Sequence, residues 1–467
     1  MKTAFSLKPF VLPLSFIIGL NLVVKLVMFC LMYRGQDILG KTKLITDSDE
    51  VSYNTMAGNV VNYHTYAPLK DTIDVAHFPV INKPHILCLY HDSLRLPGYP
   101  TFLSIIYFII GIKPYIAVLL QILISLLSVV LIYRICILVS SSPSVASLAG
   151  LLYAIDIHSA YVASELLTDT LCVFCMLASV YYFLKAIKDY KLLPFLLSAL
   201  FLGLASIVRP VMLLYPFILL FIFFIFNKQV VLRKLTLSAS YLAVCYVFLL
   251  AWSFRNHAVY NHWQLTTQSG YNLVMWNSAF AESRITGKNV DSVRLEFQKQ
   301  ADAMNFNSAP NAFYKADIYE KIGYAYFKQH PLAMIAIHLE GGLHMFLSVG
   351  NVDIATSWGW QTPNIRGFPD MNMQRISKNF SGGNVAILAV VILVVMFLQY
   401  ISCIIGLIRV WRLRNYMLLS LCILTIAYFI LVIGVAGMYR YKLTITPFLC
   451  ILAGFAFYKQ NSLKDTH

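Results

Sequence analysis

The sequence predicts an all-α, polytopic membrane protein with about ten transmembrane helices. Of its 467 residues, 59% are hydrophobic and 12% are charged, whereas about a quarter of the residues of a soluble domain are charged. Several apolar runs approach the roughly 20 residues that a helix needs to span a bilayer. Lys and Arg exceed Asp and Glu by 36 to 21. In such a chain this excess indicates cytoplasmic loops, so we expect the membrane, and no nucleic acid, as a partner.

The first apolar run, 10–32, is too long for the core of a signal peptide and is interpreted as a membrane anchor. A long polar loop, 33–98, separates it from the other predicted segments. These are 99–110 with 114–140, 144–157, 166–184, 192–208, 211–226, 234–254, 384–408, 415–435 and 441–457. The break at 111–114 is predicted to leave 99–110 as a short dipping helix, so that this pair makes one crossing. The nine cysteines lie mostly in apolar runs and do not predict a disulfide framework.

Basic loop residues orient these segments, because Lys and Arg concentrate on the cytoplasmic side. The basic clusters are Lys185, Lys188 and Lys191; Lys228, Arg233 and Lys234; Arg409, Arg412 and Arg414; and Lys459 with Lys464. With all four inside, both termini are cytoplasmic, and loop 33–98 and segment 255–383 lie outside. The run 331–349 is long enough to span, but a crossing there would put the 409–414 cluster outside. We therefore predict that it is interfacial or re-entrant.

Acidic residues stand at two predicted helix starts on the outer side. Asp49 and Glu50 open a segment whose apolar residues recur at helical spacing from Tyr53 onward, and Asp169 begins the run 166–184. The acids of a capped surface helix explain the same pattern, since a helix N-terminus favours negative charge. Charged groups kept at a membrane edge are also typical of functional sites. Two acids brought together there could supply a base or hold a divalent cation.

Three arginines flank apolar runs on the same predicted side: Arg95, Arg209 and Arg440. A single arginine at a membrane edge usually extends its head group to water. Three of them beside acids indicate a site for an anionic group, because the guanidinium fork matches two phosphate oxygens. No phosphate loop, dinucleotide fingerprint or serine-nucleophile elbow is present, and no pair of histidines has a convincing zinc-ligand spacing.

Short motifs along nearly the whole chain resemble, in content and order, those of the membrane glycosyltransferases of the GT-C fold. That group includes the dolichyl-phosphate-mannose protein mannosyltransferases and the lipid A aminoarabinose transferases. The motifs are Asp49-Glu50-Val51-Ser52-Tyr53, Arg95-Leu96-Pro97-Gly98-Tyr99-Pro100, Thr168-Asp169, Ile207-Val208-Arg209-Pro210, Trp252-Ser253-Phe254-Arg255-Asn256 and Arg440-Tyr441-Lys442 with Pro447. Thr444 and Lys442 depart from the usual proline and arginine. Segment 257–383 carries no motif that can be transferred.

The resemblance implies an enzyme that moves a sugar, hexosyl or pentosyl, from a polyprenyl- or dolichyl-phosphate donor to a glycan, lipid or protein acceptor, with inversion. The sugar transfer would take place on the periplasmic, extracellular or lumenal face of a plasma, inner or endoplasmic-reticulum membrane. The resemblance implies a catalytic role for Asp49 and Glu50, and acceptor or metal binding for Asp169. It implies donor-phosphate binding for four basic residues: Arg95, Arg209, Arg440 and Lys442. Tyr53 and Arg255 are further implied site residues. No certain cofactor is implied, and a divalent metal is the open alternative.

The predicted domains are a transmembrane catalytic module at 1–254, which includes loop 33–98, a small mixed outer-face domain at 255–383, and C-terminal transmembrane helices at 384–467. Two other functions remain open. A transporter or flippase of lipid-linked sugars would also have intramembrane charges and many helices, although the paired halves common in transporters are not found. A surface-polysaccharide polymerase or ligase would share the donor type.

Overall fold

The computed structural model describes residues 11–33, 48–64, 66, 94–360, 362 and 383–458. Most of the predicted loop 33–98 lies outside the described residues, as do Asp47, Lys459 and Lys464. The transmembrane part begins with α1 Leu14–Met32, α2 Ser48–Tyr63, α3 Gly98–Ile110, α4 Pro114–Ser140, α5 Pro143–Ala154, α6 Ile157–Ala163, α7 Asp169–Asp189, α8 Leu192–Val208, α9 Tyr215–Phe226 and α10 Val231–Tyr260. This order reproduces the predicted all-α architecture.

The later part of the chain continues with helices only, within the described residues. They are α11 Gln268–Tyr271, a π-helical turn Asn272–Ser278, α12 Ala279–Thr286, α13 Val290–Ala303, α14 Ala312–Gln329, α15 Pro331–Leu347, α16 Asn351–Ser357, α17 Gly383–Arg412, α18 Tyr416–Ile433, α19 Tyr439–Lys442 and α20 Thr446–Gly454. The outer-face segment was expected to be mixed, but its described residues 257–360 contain no strand. A small core of its own includes Phe306 and Tyr319.

Six of the described helices are long and apolar enough to cross a membrane, and the number rises to eight if each of two bent helix pairs is one span. The bent pairs are α5 with α6 and α15 with α16, at 57° and 59°. Of the other predicted spans, 192–208, 211–226 and 441–457 correspond to shorter apolar helices, and 144–157 falls on the bent pair α5 with α6. The number of crossings therefore remains a prediction. The bend that ends α15 near Ser348 is compatible with either a broken span or a re-entrant segment.

Local sequence explains the breaks between these helices. Gly111 adopts φ +85° and ends α3, and Pro114 stands in the first turn of α4, where a missing backbone N–H costs nothing. Asp156 caps α6 by accepting a hydrogen bond from the Ser159 backbone N–H at 2.6 Å. Lys25 of α1 donates to the Ser159 hydroxyl at 2.9 Å. The polar turn between α5 and α6 is thereby tied to the first helix.

Helix α7 is the central element of the transmembrane part. It packs against both α4 and α8, and 72% of its most apolar window is buried inside the protein. Because it has 21 residues, it rises about 30 Å, which matches the hydrocarbon thickness of a bilayer. Asp169 therefore lies at one membrane edge, whereas Lys188 and Lys191 lie at the other.

Candidate active site

Five charged side chains from five different segments form a continuous series of ion pairs. Asp49 pairs with Arg95, and its second oxygen accepts a hydrogen bond from Arg440 Nη1 at 2.9 Å. Arg440 Nε donates in turn to Asp169 Oδ2 at 3.0 Å. Asp169 also pairs with Arg209. We call these five residues the ion-pair cluster, in which Arg440 is the central member.

Each member of the ion-pair cluster stands at a helix boundary. Asp49 and Asp169 lie in the first turns of α2 and α7, where the exposed backbone N–H groups favour an ionised carboxylate. Arg95 precedes α3, and Arg209 occupies the break between α8 and Pro210. Arg440 is carried by the short helix α19 between α18 and α20. The fold thus gathers helix ends at one membrane edge.

Burial requires these charges to be paired. The Asp169 side chain is fully buried and Arg209 is 9% exposed, whereas Asp49 is the most open member at 22%. A buried ion pair stabilises a protein only where its partners compensate the lost hydration. Three guanidiniums against two carboxylates leave one positive charge in excess. The most accessible part of the cluster, around Asp49, is therefore suited to an added anion.

The pKa of Asp49 is set by two opposing effects. Burial by itself would raise the pKa of this carboxyl, but the charges of Arg95 and Arg440, with the hydrogen bonds that they donate, hold it well below its usual range. Asp49 is consequently ionised at any physiological pH. A carboxylate paired in this way is a weak base until one of its guanidinium partners is drawn away.

Aromatic rings shape the walls of the ion-pair cluster. The Arg95 guanidinium lies 5.1 Å from the centre of the Tyr53 ring, and Tyr53 meets Tyr99 edge to face. The Tyr441 ring lies 5.7 Å from the Arg209 guanidinium and 5.9 Å from that of Arg440. Such contacts favour a fixed orientation of the cations. Tyr441 was quoted within a motif but received no role from the sequence, because nothing there shows that it touches two arginines.

Arg95 retains an unused donor. Its Nε is buried and finds no hydrogen-bond partner among the described residues. A buried polar group without a partner is costly and calls for an explanation. A phosphate oxygen is the kind of acceptor that would satisfy it.

The other predicted site residues have different surroundings. Glu50 is buried, and its Oε1 accepts a hydrogen bond from the Leu166 backbone N–H at 3.0 Å, which ties α2 to the segment before α7. The Lys442 Nζ is fully buried and has no hydrogen-bond partner in the described part of the chain. The Arg255 guanidinium lies over the rings of Trp252 and Tyr260, at 4.8 and 5.3 Å. Neither Lys442 nor Arg255 has a described contact with the ion-pair cluster.

A divalent cation does not fit the ion-pair cluster as it is arranged. Asp49 and Asp169 each bind two guanidiniums, and the excess positive charge would repel a metal ion. Within the described residues there is also no group of three or more His, Cys, Asp or Glu side chains that could hold one.

Comparisons with known proteins agree with the predicted resemblance. Residues 95–254 match the family model described as dolichyl-phosphate-mannose-protein mannosyltransferase, while no individual curated protein sequence matches the chain. Two structures of the oligosaccharyltransferase of Archaeoglobus fulgidus, one tethered to an acceptor peptide and one in complex with an inhibitory peptide and dolichol-phosphate, are each 13% identical with a TM-score of 0.51.

These alignments cover 95% and 94% of the present chain but only 49% and 50% of the oligosaccharyltransferase, so the chain spans about half its length. ArnT from Cupriavidus metallidurans bound to undecaprenyl phosphate is 13% identical, with a TM-score of 0.41 over 94% of this chain and 76% of ArnT. The fold shared with the oligosaccharyltransferase and the match over 95–254 confirm the resemblance expected from the motifs. This polytopic membrane protein has the GT-C fold of membrane glycosyltransferases, and its residues 95–254 are similar to the dolichyl-phosphate-mannose-protein mannosyltransferases.

Proposed function

We propose that this protein is an integral membrane glycosyltransferase that moves a sugar from a polyprenyl- or dolichyl-phosphate donor to an acceptor on the non-cytoplasmic face, with inversion at the anomeric carbon. The fold and the family match over 95–254 support this class of activity. The observation that carries the proposal is the ion-pair cluster, because it combines guanidiniums, carboxylates and an excess positive charge at one membrane edge.

The arginines would bind the donor phosphate and stabilise its departure. A sugar joined to a lipid phosphate carries one negative charge on the phosphodiester, and the phosphate gains a second when the bond to the sugar breaks. Arg440 lies at the centre of the cluster, and Arg95 has a buried Nε without a described partner. Preorganised donors aimed at a developing charge are usually the largest contribution to catalysis.

Asp49 would act as the base. The acceptor hydroxyl oxygen bonds to the anomeric carbon while the bond from that carbon to the phosphate oxygen breaks, and the phosphate leaves with the electron pair. The hydroxyl proton passes to Asp49. When a phosphate draws Arg440 or Arg95 away from Asp49, the carboxylate loses guanidinium hydrogen bonds and becomes a stronger base. Binding of the donor would thus activate the base.

Asp169 is better suited to positioning the neighbouring guanidiniums than to accepting a proton. Its side chain is fully buried and pairs with both Arg209 and Arg440. It would fix the orientation of these guanidiniums towards the donor phosphate. The donor tail could follow α3, which begins three residues after Arg95 and exposes Ile105, Phe108 and Ile109.

Removal of Arg440 tests the proposal directly. Arg440→Ala is expected to weaken binding of undecaprenyl phosphate about tenfold or more, since a charge-assisted pair is lost at a partly buried site. Arg440→Lys keeps the charge but loses the two-pronged geometry, and should recover only part of the affinity. The measurement is binding of the lipid to purified protein in detergent, beside transfer of a labelled sugar.

Arg134 supplies the matched control, because it is an exposed arginine on α4. Arg134→Ala should bind undecaprenyl phosphate as the native protein does. Unchanged affinity in Arg440→Ala and in Arg95→Ala would refute the assignment of the phosphate site. Movement of the labelled lipid across vesicles without formation of a glycoside would instead favour a flippase.

A further inference from the structure

A cleft lies between helices α12 and α15 and the segment that leads into α19. Its volume is about 200 Å³. The lining includes Phe280, Ser283, Arg284, Glu340, His344 and Gly437. No motif from the sequence analysis falls on these residues, so the cleft has no assigned role.

The cleft shares a wall with the segment that carries Arg440. His344 Nδ1 donates a hydrogen bond to the Gly437 carbonyl oxygen at 2.6 Å. Gly437 precedes Arg440 by three residues, so their Cα atoms are separated by at most about 11 Å. One wall of the cleft therefore lies within about 11 Å of the Cα atom of Arg440, the central member of the ion-pair cluster.

The lining combines polar and apolar groups. Arg284 and Glu340 form an ion pair whose side chains are 56% and 32% exposed, so both groups remain accessible. Ser283 and His344 add further polar atoms, while Phe280 provides an aromatic surface. A carboxylate next to a guanidinium presents an acceptor and several donors side by side. This arrangement suits neighbouring hydroxyl groups, each of which donates and accepts, and the aromatic surface suits the C–H face of a sugar ring.

We infer that this cleft binds the acceptor, and that the acceptor is a pyranose sugar rather than a peptide. The inference rests on the proposed glycosyltransferase function and identifies the class of its second substrate. One common way to hold an extended peptide is to pair its backbone with an exposed strand edge. The described residues of 257–360 form helices and connecting loops, with no strand that could offer such an edge. A discrete cleft with paired hydroxyl-binding groups matches a single sugar ring better than an extended chain.

The test uses protection of an introduced cysteine, which does not depend on catalysis. Ser283→Cys is placed in the full-length protein with Cys30 and Cys88 replaced by Ser, since Cys30 is exposed and Cys88 lies in the polar loop. The rate of maleimide labelling is measured with and without methyl pyranosides of hexoses, hexosamines and uronic acids. We expect at least one pyranoside to slow the labelling about fivefold or more.

Two further variants make the result specific. Glu340→Gln in the same background should raise the sugar concentration needed for protection about tenfold, because a neutral amide no longer accepts from two hydroxyls as a carboxylate does. Ser292→Cys, at an exposed position on α13 outside the cleft, should label at the same rate with or without sugar. Undecaprenyl phosphate binding should be unchanged in Glu340→Gln.

The outcomes separate this inference from the proposed function. If no pyranoside protects Ser283→Cys, or if Glu340→Gln leaves protection unaltered, the sugar site is refuted even where undecaprenyl phosphate still binds. Protection by short peptides and not by sugars would refute it in favour of a protein acceptor. The proposed function is tested in a separate assay, which measures the loss of lipid-phosphate binding in Arg440→Ala. Comparison of free and lipid-linked pyranosides then identifies which form of the sugar binds more tightly.

Discussion

Asp49 and Asp169 explain how three arginines can share one small region. Guanidiniums placed side by side repel each other, more strongly where water is excluded. The carboxylates alternate with Arg95, Arg440 and Arg209 along the ion-pair cluster. Each cation is thus paired and oriented before any ligand arrives, while the cluster keeps one positive charge in excess. An anion entering the cluster would meet guanidiniums that are already held close together.

Asp49 and Glu50 are neighbours whose surroundings predict different roles. Asp49→Asn should lower sugar transfer about 10²–10⁴-fold, as expected for loss of a well-placed base. Glu50→Gln should lower transfer only a few fold, because the amide oxygen can still accept from the Leu166 N–H. The measurement is the transfer rate from a lipid-phosphate sugar in both variants. Equal losses of transfer rate in the two variants would show that Glu50 is also catalytic. A wild-type rate in Asp49→Asn would show that Asp49 is not the base.

The lowered pKa of Asp49 also predicts how stability depends on pH. Its folded-state pKa lies below the unfolded value of about 4. The stabilisation from the ionised carboxylate is therefore fully present above that unfolded pKa and is lost as the pH falls through the folded-state pKa. The difference in melting temperature between the native protein and Asp49→Asn should be constant from about pH 5 to 8 and should shrink below about pH 4. A difference that shrinks near pH 6 would contradict this assignment.

At the residue scale, the sequence pointed to charged residues that the structure brings together, but not to their pairing. Arg95, Arg209 and Arg440 were chosen because they flank apolar runs beside acids, and all three lie in the ion-pair cluster. Pairing depends on tertiary contacts between positions up to 391 residues apart, which local spacing does not encode. Lys442 follows Arg440 by two residues, yet its Nζ is buried near the Tyr400 ring at 5.8 Å. The helical turn of α19 separates the two side chains.

Close contact between α15 and the segment before α19 is the feature that matters at the scale of elements. A Cβ atom built on Gly341 would lie 1.6 Å from the Gly434 carbonyl oxygen, a separation that no side chain can occupy. Gly437 in turn lies against the backbone of Gly341. Because Arg440 follows this segment closely, α15 and the ion-pair cluster are mechanically connected.

Gly341→Ala should therefore disturb both stability and activity. The added methyl group meets backbone on the other side, so relief requires α15 to shift, at a cost of about 1–3 kcal/mol or more. We expect a lower melting temperature and reduced binding of undecaprenyl phosphate, since Arg440 moves with its segment. Gly19→Ala is the control, because nothing lies within 4 Å of a Cβ at that position on α1. If Gly341→Ala melted and bound lipid as Gly19→Ala does, the contact would be unimportant.

The sequence located most helix boundaries that depend on local residues. The break at 111–114 and the helix 192–208 agree with the structure, because glycine, proline and charged residues mark them. The bend between α5 and α6 was missed, since the run 144–157 looks continuous until Asp156 is recognised as a cap. The glycines of α15 also look like ordinary residues of an apolar run. Their role appears only when the opposing backbone is present.

For the whole molecule, α7 relates the ion-pair cluster to the two sides of the membrane. Its 21 residues separate Asp169 from the basic turn at Lys188 and Lys191 by about 30 Å. The cluster and this turn therefore lie at opposite membrane edges. Charge in the loops predicts that the basic turn is cytoplasmic. The orientation of the ion-pair cluster follows from this one assignment.

Cysteine labelling in intact cells decides the orientation. Lys188→Cys and Ser292→Cys, both at exposed positions, are introduced separately into a background without Cys30 and Cys88. Three apolar helical segments, 192–208, 210–226 and 231–260, lie between the two positions. An odd number of crossings puts them on opposite sides of the membrane.

An impermeant maleimide should label Ser292→Cys in intact cells, and Lys188→Cys only after the membrane is opened. Labelling of both in intact cells would mean that one of these segments does not cross. Labelling of Lys188→Cys alone would place the ion-pair cluster in the cytoplasm, where the proposed donor face would be wrong.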